Sequence, residues 1–172
     1  MNKEECISLY SKFKKLNFVQ EKQEFDLRKQ EFVYHSNRLE GSGLTLIQTI
    51  DVISEHKVKG EASVEETLMA IDHYRALNQA LLFGGNKYPL TNSLLLQLHE
   101  TLLKNTFSID PFYNSWKSKG QELGGFKVAD NKIKIGIDYF DTPSFKVVEK
   151  AIINIIHRHT ESDEIFPVKL GN

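Results

Sequence analysis

The sequence predicts a mainly α-helical single domain with one small β-hairpin. Three observations carry that expectation. Residues 3 to 40 contain no Gly or Pro and repeat apolar side chains at helical spacing. Further apolar-periodic stretches lie between capping signals and Gly or Pro stops. Only residues 126 to 135 alternate with the period of two that a strand requires.

Composition sets the outer limits. A chain of 172 residues with 40% hydrophobic and 26% charged residues is long enough to bury a core as one domain. The net charge of -1 argues against a dedicated nucleic-acid binder, which would be basic. Lys12, Lys14 and Lys15 cluster around Phe13 and Leu16 as the solvated face of a helix. Cys6 is the single cysteine, so neither an internal disulfide nor a cysteine-rich metal site is expected. No apolar run approaches the roughly 18 residues of a membrane span, and nothing resembles a signal peptide. A cytoplasmic location without a membrane partner is the expectation.

The elements follow in order. In the first helical region Phe18, Phe25, Phe32 and Leu39 recur every seven residues, widened by Leu9, Phe13, Leu16 and Val33. Lys22, Lys29 and Ser36 occupy the complementary heptad position. The seam is therefore expected to pack on a helical body rather than form a free coiled coil. Leu16-Asn17 is where the pattern can break. Gly41-Ser42-Gly43 stops the region. Thr45 and Gln48 form a capping box for a helix with Leu46, Ile47, Ile50 and Ile53 inward. Lys57 to Ala62 is a loop. Ser63 and Glu66 form a second capping box, and Val64, Leu68, Ile71, Tyr74, Leu77 and Leu81 lead to the Gly84-Gly85 stop. Thr91 caps a helix with Leu94, Leu95, Leu98 and Leu102, in which His99 reads as a hydrogen-bonded core residue.

Residues 105 to 124 show no period, and Phe107, Phe112, Tyr113 and Trp116 are expected to pin a loop to the body. Phe126 and Val128, then Ile133 and Ile135, form the two strands of the expected hairpin, with Asp130-Asn131 as its turn. Thr142 caps and Pro143 opens a last helix with Phe145, Val148, Ile152, Ile155 and Ile156 inward. His157 and His159 end it on different faces, so no shared metal is expected from them.

The stretch from His35 to Thr45 is the most specific. Ser36, Glu40 and Gly41 stand in the spacing [ST]-x-x-x-E-[GN]. Ser36 and Glu40 are one helical turn apart and face the same way. A carboxylate in the last turn opposes the helix dipole, as expected of a group that meets a cation elsewhere. The plainer alternative is a Ser and a Glu on a solvated helix end.

Here the sequence resembles the Fic family, whose members transfer a nucleotide from ATP to protein hydroxyls. In one class of that family this motif is the autoinhibitory element, which would make Ser36, Glu40 and Gly41 the inhibitory residues. Gly124-Gly125-Phe126-Lys127, followed by Ile133-Lys134-Ile135, resembles the family's substrate flap, with Lys127 in place of the usual Arg. The resemblance implies that Gly125, Phe126, Lys127, Ile133 and Ile135 receive a protein target by strand addition. On the residues alone the hairpin could equally cover one end of the helical core. Lys for Arg keeps the charge and loses the bidentate fork.

The family's chemistry lies in a loop of pattern H-P-F-x-[DE]-G-N-G-R, supplying a base, a Mg²⁺ ligand and a phosphate nest. That pattern does not occur here. Glu161 to Val168 resembles the approach to it, and the expectation is that the chain stops before the loop. ATP and Mg²⁺ are thus implied for the intact fold, while the residues present support no cofactor, metal ligand or catalytic residue. The expected organisation is one domain over 1–172, with the inhibitory region at 1–41 and an incomplete core at 42–172. Two functions follow: an autoinhibited AMP transferase inactive in this form, or a non-catalytic protein-binding module on the same scaffold. A homodimer is left open.

Overall fold

The computed structural model describes residues 3–15, 22–111 and 113–161. In chain order these form helices α1 (Lys3–Lys15), α2 (Lys22–Leu39), α3 (Leu46–Glu55), α4 (Val64–Gly85), α5 (Asn92–Ser108) and α6 (Tyr113–Ser118). Strands β1 (Lys132–Ile135) and β2 (Asp138–Asp141) and helix α7 (Phe145–Glu161) follow. The expected mainly α fold with one hairpin is the one observed. No helix among the described residues is long and apolar enough to cross a membrane.

Local chemistry fixes the helix starts. Thr45 and Gln48 exchange side-chain and backbone hydrogen bonds at the head of α3, and Ser63 and Glu66 do the same at α4. Each box satisfies two N–H groups that the first turn leaves without partners. Thr91 Oγ1 accepts the Leu94 N–H at the head of α5.

Helix α4 is the centre of the domain, packing on α5, α2 and α3, while α5 also meets α7. The inner core is Val33, Leu44, Val52 and Ala70, with Ile53, Ala62, Ile71, Tyr74 and Leu77 packed around it. Fully burying a Val such as Val33 or Val52 contributes about 2 kcal/mol over leaving it in water. Asp72, also fully buried, ties α4 to α5. Its carboxylate accepts the Asn105 and Thr106 backbone N–H groups at 2.7 and 2.9 Å, Asn105 Nδ2 at 2.6 Å and the Thr106 hydroxyl at 3.2 Å.

Several sequence expectations are corrected here. The heptad seam does not face the body: Phe25 is 40% exposed, Phe32 54% and Leu39 89%. Phe18 lies outside the described residues. The face of α2 turned inward carries Lys29, Val33 and Asn37, four residues apart, so a 3.6-residue period decides the contact rather than seven. Lys29 is tolerated because its ammonium lies over the Phe25 and Tyr74 rings, 5.3 and 5.4 Å from their centroids, and reaches Asp26 and Asn78 at 2.6 and 3.0 Å. In α3, Thr49 and Val52 are buried and Ile47 faces water. His99 is exposed, as are Gln97, Glu100 and Lys104 of the same helix, so it is not a core residue.

Residues 105 to 124 are partly helical. Phe107 ends α5 and meets Tyr113 and Trp116 of α6 at ring separations of 6.5 and 5.4 Å, so the aromatics pin the segment as expected. Phe112 lies outside the described residues. The hairpin is formed one strand later than its alternation suggested. Lys132–Ile135 pairs antiparallel with Asp138–Asp141, and Gly136, at φ +64°, makes the turn. Phe126 and Val128 lie in the preceding loop. Asp130, expected in the turn, instead accepts the Phe145 N–H at 2.8 Å and heads α7. Thr142 does not cap α7, because its hydroxyl donates to the Asn131 carbonyl at 2.9 Å. Along α7, Phe145, Val148, Ile152 and Ile156 are half-buried, and Ile155 faces water.

Candidate functional site: the mount of Glu40

The inhibitory residues foreseen from sequence, Ser36, Glu40 and Gly41, lie where α2 ends. Glu40 follows the last helical residue, and its N–H donates to the Ser36 carbonyl at 3.3 Å. Its carboxylate is exposed and, among the described residues, has no hydrogen bond or ion pair. Gly41 has φ +95°, a conformation that side-chain-bearing residues resist, so the chain reverses here without strain. Ser36 is half-buried.

Beneath Glu40 the backbone is held at several points. The Ser42 N–H donates to the Asn37 carbonyl at 2.9 Å, closing the turn, and Arg38 Nη1 donates to the Ser42 carbonyl at 3.0 Å. Ser42 and Leu44 are buried. The Gly43 N–H donates to Glu66 Oε1, while Glu66 Oε2 accepts the Ser63 N–H at 3.0 Å and the Ser63 hydroxyl at 2.9 Å. One carboxylate therefore both caps α4 and fastens the loop that follows Glu40. A Cβ on residue 43 would lie 3.0 Å from Glu66 Oε1, so a glycine permits this approach. The Gly43 N–H, and after it the Ser63 donors, hold the Glu66 carboxyl below its ordinary value of 4.5.

Asn37 supplies the deepest anchor. It is 2% exposed, and its Oδ1 lies 2.6 Å from His73 Nδ1 on α4. The Nδ1–H tautomer of the imidazole donates in this contact. Burial lowers the His73 pKa below 6.5, against a smaller opposing effect of the Glu40 charge. The edge of Phe32 meets the ring at 6.3 Å.

The residues foreseen for the flap do not form one element. Gly125 donates its N–H to the Glu122 carbonyl at 3.2 Å in a turn, and Phe126 and Lys127 lie in the loop. Gln121 organises that loop, donating to the Phe126 carbonyl at 3.3 Å and accepting the Val128 N–H at 3.1 Å. Lys127 Nζ reaches Asn131 Oδ1 at 2.8 Å and the Thr142 hydroxyl, bracing the base of the hairpin. Ile133 and Ile135 are in β1, opposite Phe140 and Asp138. The side chains of β2 are all exposed, and it pairs with β1 in a two-stranded sheet. The mount and the hairpin belong to separate parts of the fold: α2 packs on α3 and α4, and the strands pair with each other.

Sequence reasoning missed His73, Asn37 and the second role of Glu66. The available signal was Asp72-His73, two polar residues set within the apolar stripe of Ile71, Tyr74 and Leu77.

No family model matches the chain, and no curated protein matches it. Solved structures do. A Fic domain containing signaling protein from Bacteroides thetaiotaomicron superposes with a TM-score of 0.70 at 24% identity, covering 89% of this chain and 55% of that one. A Fic family protein from Desulfovibrio desulfuricans gives a TM-score of 0.65 at 16% identity, covering 84% of this chain and 39% of that one. The chain thus spans about half or less of the length of these neighbours. Its fold is that of Fic domain proteins.

Proposed function

We propose that this chain is part of a Fic-family AMP transferase of the autoinhibited class, with Glu40 as its inhibitory residue. The observation that carries the proposal is the mount: an exposed carboxylate with no hydrogen bond or ion pair among the described residues, placed on a turn fixed by buried Asn37, Ser42 and Leu44. A carboxylate serving only as a helix-end solvating group needs no such foundation. A group that must compete with a nucleotide phosphate for a cation does, because a fixed charge loses less entropy on pairing than a mobile one.

Ser36 and Gly41 set the helix end and the reversal around Glu40. The hairpin is the element that would receive a protein target by strand addition, with Ile133 and Ile135 in its first strand and Gly125, Phe126 and Lys127 in the loop that leads to it. The described residues contain no group of acidic or histidine side chains able to hold a metal ion. The phosphate-loop pattern is absent from the 172 residues. The transfer, with the ATP and Mg²⁺ that it takes, is assigned to a polypeptide that includes such a loop. The test is ATP-dependent labelling of protein hydroxyls by that polypeptide: weak with Glu40, strong with Glu40→Gly.

A second reading is favoured by the exposed Phe25, Phe32 and Leu39 along α2. In it the chain is a non-catalytic module that binds a protein partner or a second copy through this helix. Phe25→Glu separates the two, since it abolishes a complex seen by sedimentation only if α2 is the contact.

A further inference from the structure

We propose that His73 is a positioning residue for Glu40, acting through Asn37 as a latch that holds the end of α2 on α4. The inference rests on Glu40 being the inhibitory residue. Asn37 stands one helical turn before Glu40, and three features converge on it. Its side-chain oxygen meets His73 Nδ1 at 2.6 Å. Its backbone carbonyl receives the Ser42 N–H at 2.9 Å, closing the turn that contains Glu40 and Gly41. Its Nδ2 is buried with no hydrogen-bond partner among the described residues. The imidazole is thus the single side-chain partner of a buried amide. Without it the amide would have no satisfied group, and a buried polar group in that position moves to water or drags its backbone with it.

The ring is held on its other side by the edge of Phe32, 6.3 Å away. In both the neutral Nδ1–H tautomer and the protonated form the imidazole donates to Asn37, so the latch is a donor contact rather than a titrating one.

The test uses the 172-residue chain and measures hydrogen exchange at the Ser42 amide by NMR, normalised to intrinsic rates. In the wild type the Ser42 amide should be protected. His73→Phe keeps the ring packing and removes the donor, so protection should fall about fivefold or more, the scale of one lost hydrogen bond. His73→Gln keeps a donor, so protection should stay near the wild-type level. The Asn105 and Thr106 amides, held by Asp72 on another face of α4, report whether each variant is folded. Full protection in a folded His73→Phe chain overturns the proposal. So does a folded His73→Gln chain that loses protection as His73→Phe does. These outcomes are independent of catalysis. If Glu40→Gly fails to release transfer while the exchange results hold, the inhibitory role of Glu40 is wrong and the latch stands.

Discussion

Removing the Asp72 carboxylate should unlatch the two best-packed helices. Asp72 is fully buried and accepts four hydrogen bonds from Asn105 and Thr106. At about 1 kcal/mol for each net bond, the set contributes about 4 kcal/mol. In Asp72→Ala the Asn105 amide and Thr106 hydroxyl are half-buried and can turn toward water, recovering part of this. The two backbone N–H groups cannot. We expect a loss of about 3 kcal/mol, a large share of the 5–15 kcal/mol that holds a typical domain. Urea unfolding followed by circular dichroism at 222 nm would show the midpoint falling by roughly 1 M or more at unchanged slope. Asp141→Ala is the control, because Asp141 and its partner Lys132, 3.1 Å away, are both exposed, and it should cost under about 1 kcal/mol. An Asp72→Ala midpoint as close to wild type as that of Asp141→Ala would refute the argument that this carboxylate joins α4 to α5.

Glu66→Ala should cost about 1–2 kcal/mol by removing both a capping box and the Gly43 bond. Because the folded carboxyl titrates below 4.5, that stabilisation is present above this value and lost as pH falls through the lowered one. The wild-type and Glu66→Ala stability curves, from denaturation at a series of pH values, should therefore converge in acid. Gly124→Ala and Gly136→Ala both place a side chain at positive φ, at about 1 kcal/mol each. Position 124 adds a clash, with Glu100 Cβ at 2.9 Å and the Leu96 carbonyl at 3.0 Å, whereas position 136 is open. Gly124→Ala should have the lower melting temperature of the two, and equal values would contradict the packing of that loop on α5. Phe25→Glu should leave the unfolding midpoint nearly unchanged, since Phe25 is already 40% exposed; a loss of several kcal/mol would mean the residue is buried after all.

What the sequence made legible was the local chemistry. Thr45 with Gln48, and Ser63 with Glu66, announce their helices because a cap is specified within four residues. The Gly41-Ser42-Gly43 stop was legible for the same reason. Contacts between elements were less so. The phenylalanines of α2 suggest a buried face by their hydrophobicity, yet Val33 and Asn37 take it, and the partners that make a buried Asn tolerable lie 36 residues away at His73. The hairpin was displaced because Asp130-Asn131 suits a turn equally well as it suits heading a helix. Only the approach of Phe145 decides between them. Glu66 shows both sides: its cap was legible, and its reach to Gly43 was not.

The most direct test of the account is transfer of labelled AMP from ATP by the protein in the length its source makes, comparing the wild type with Glu40→Gly. The account predicts little labelling from the wild type and a large gain from the variant. Equal labelling in the two, or none in either despite a phosphate-binding loop in the polypeptide, would contradict it.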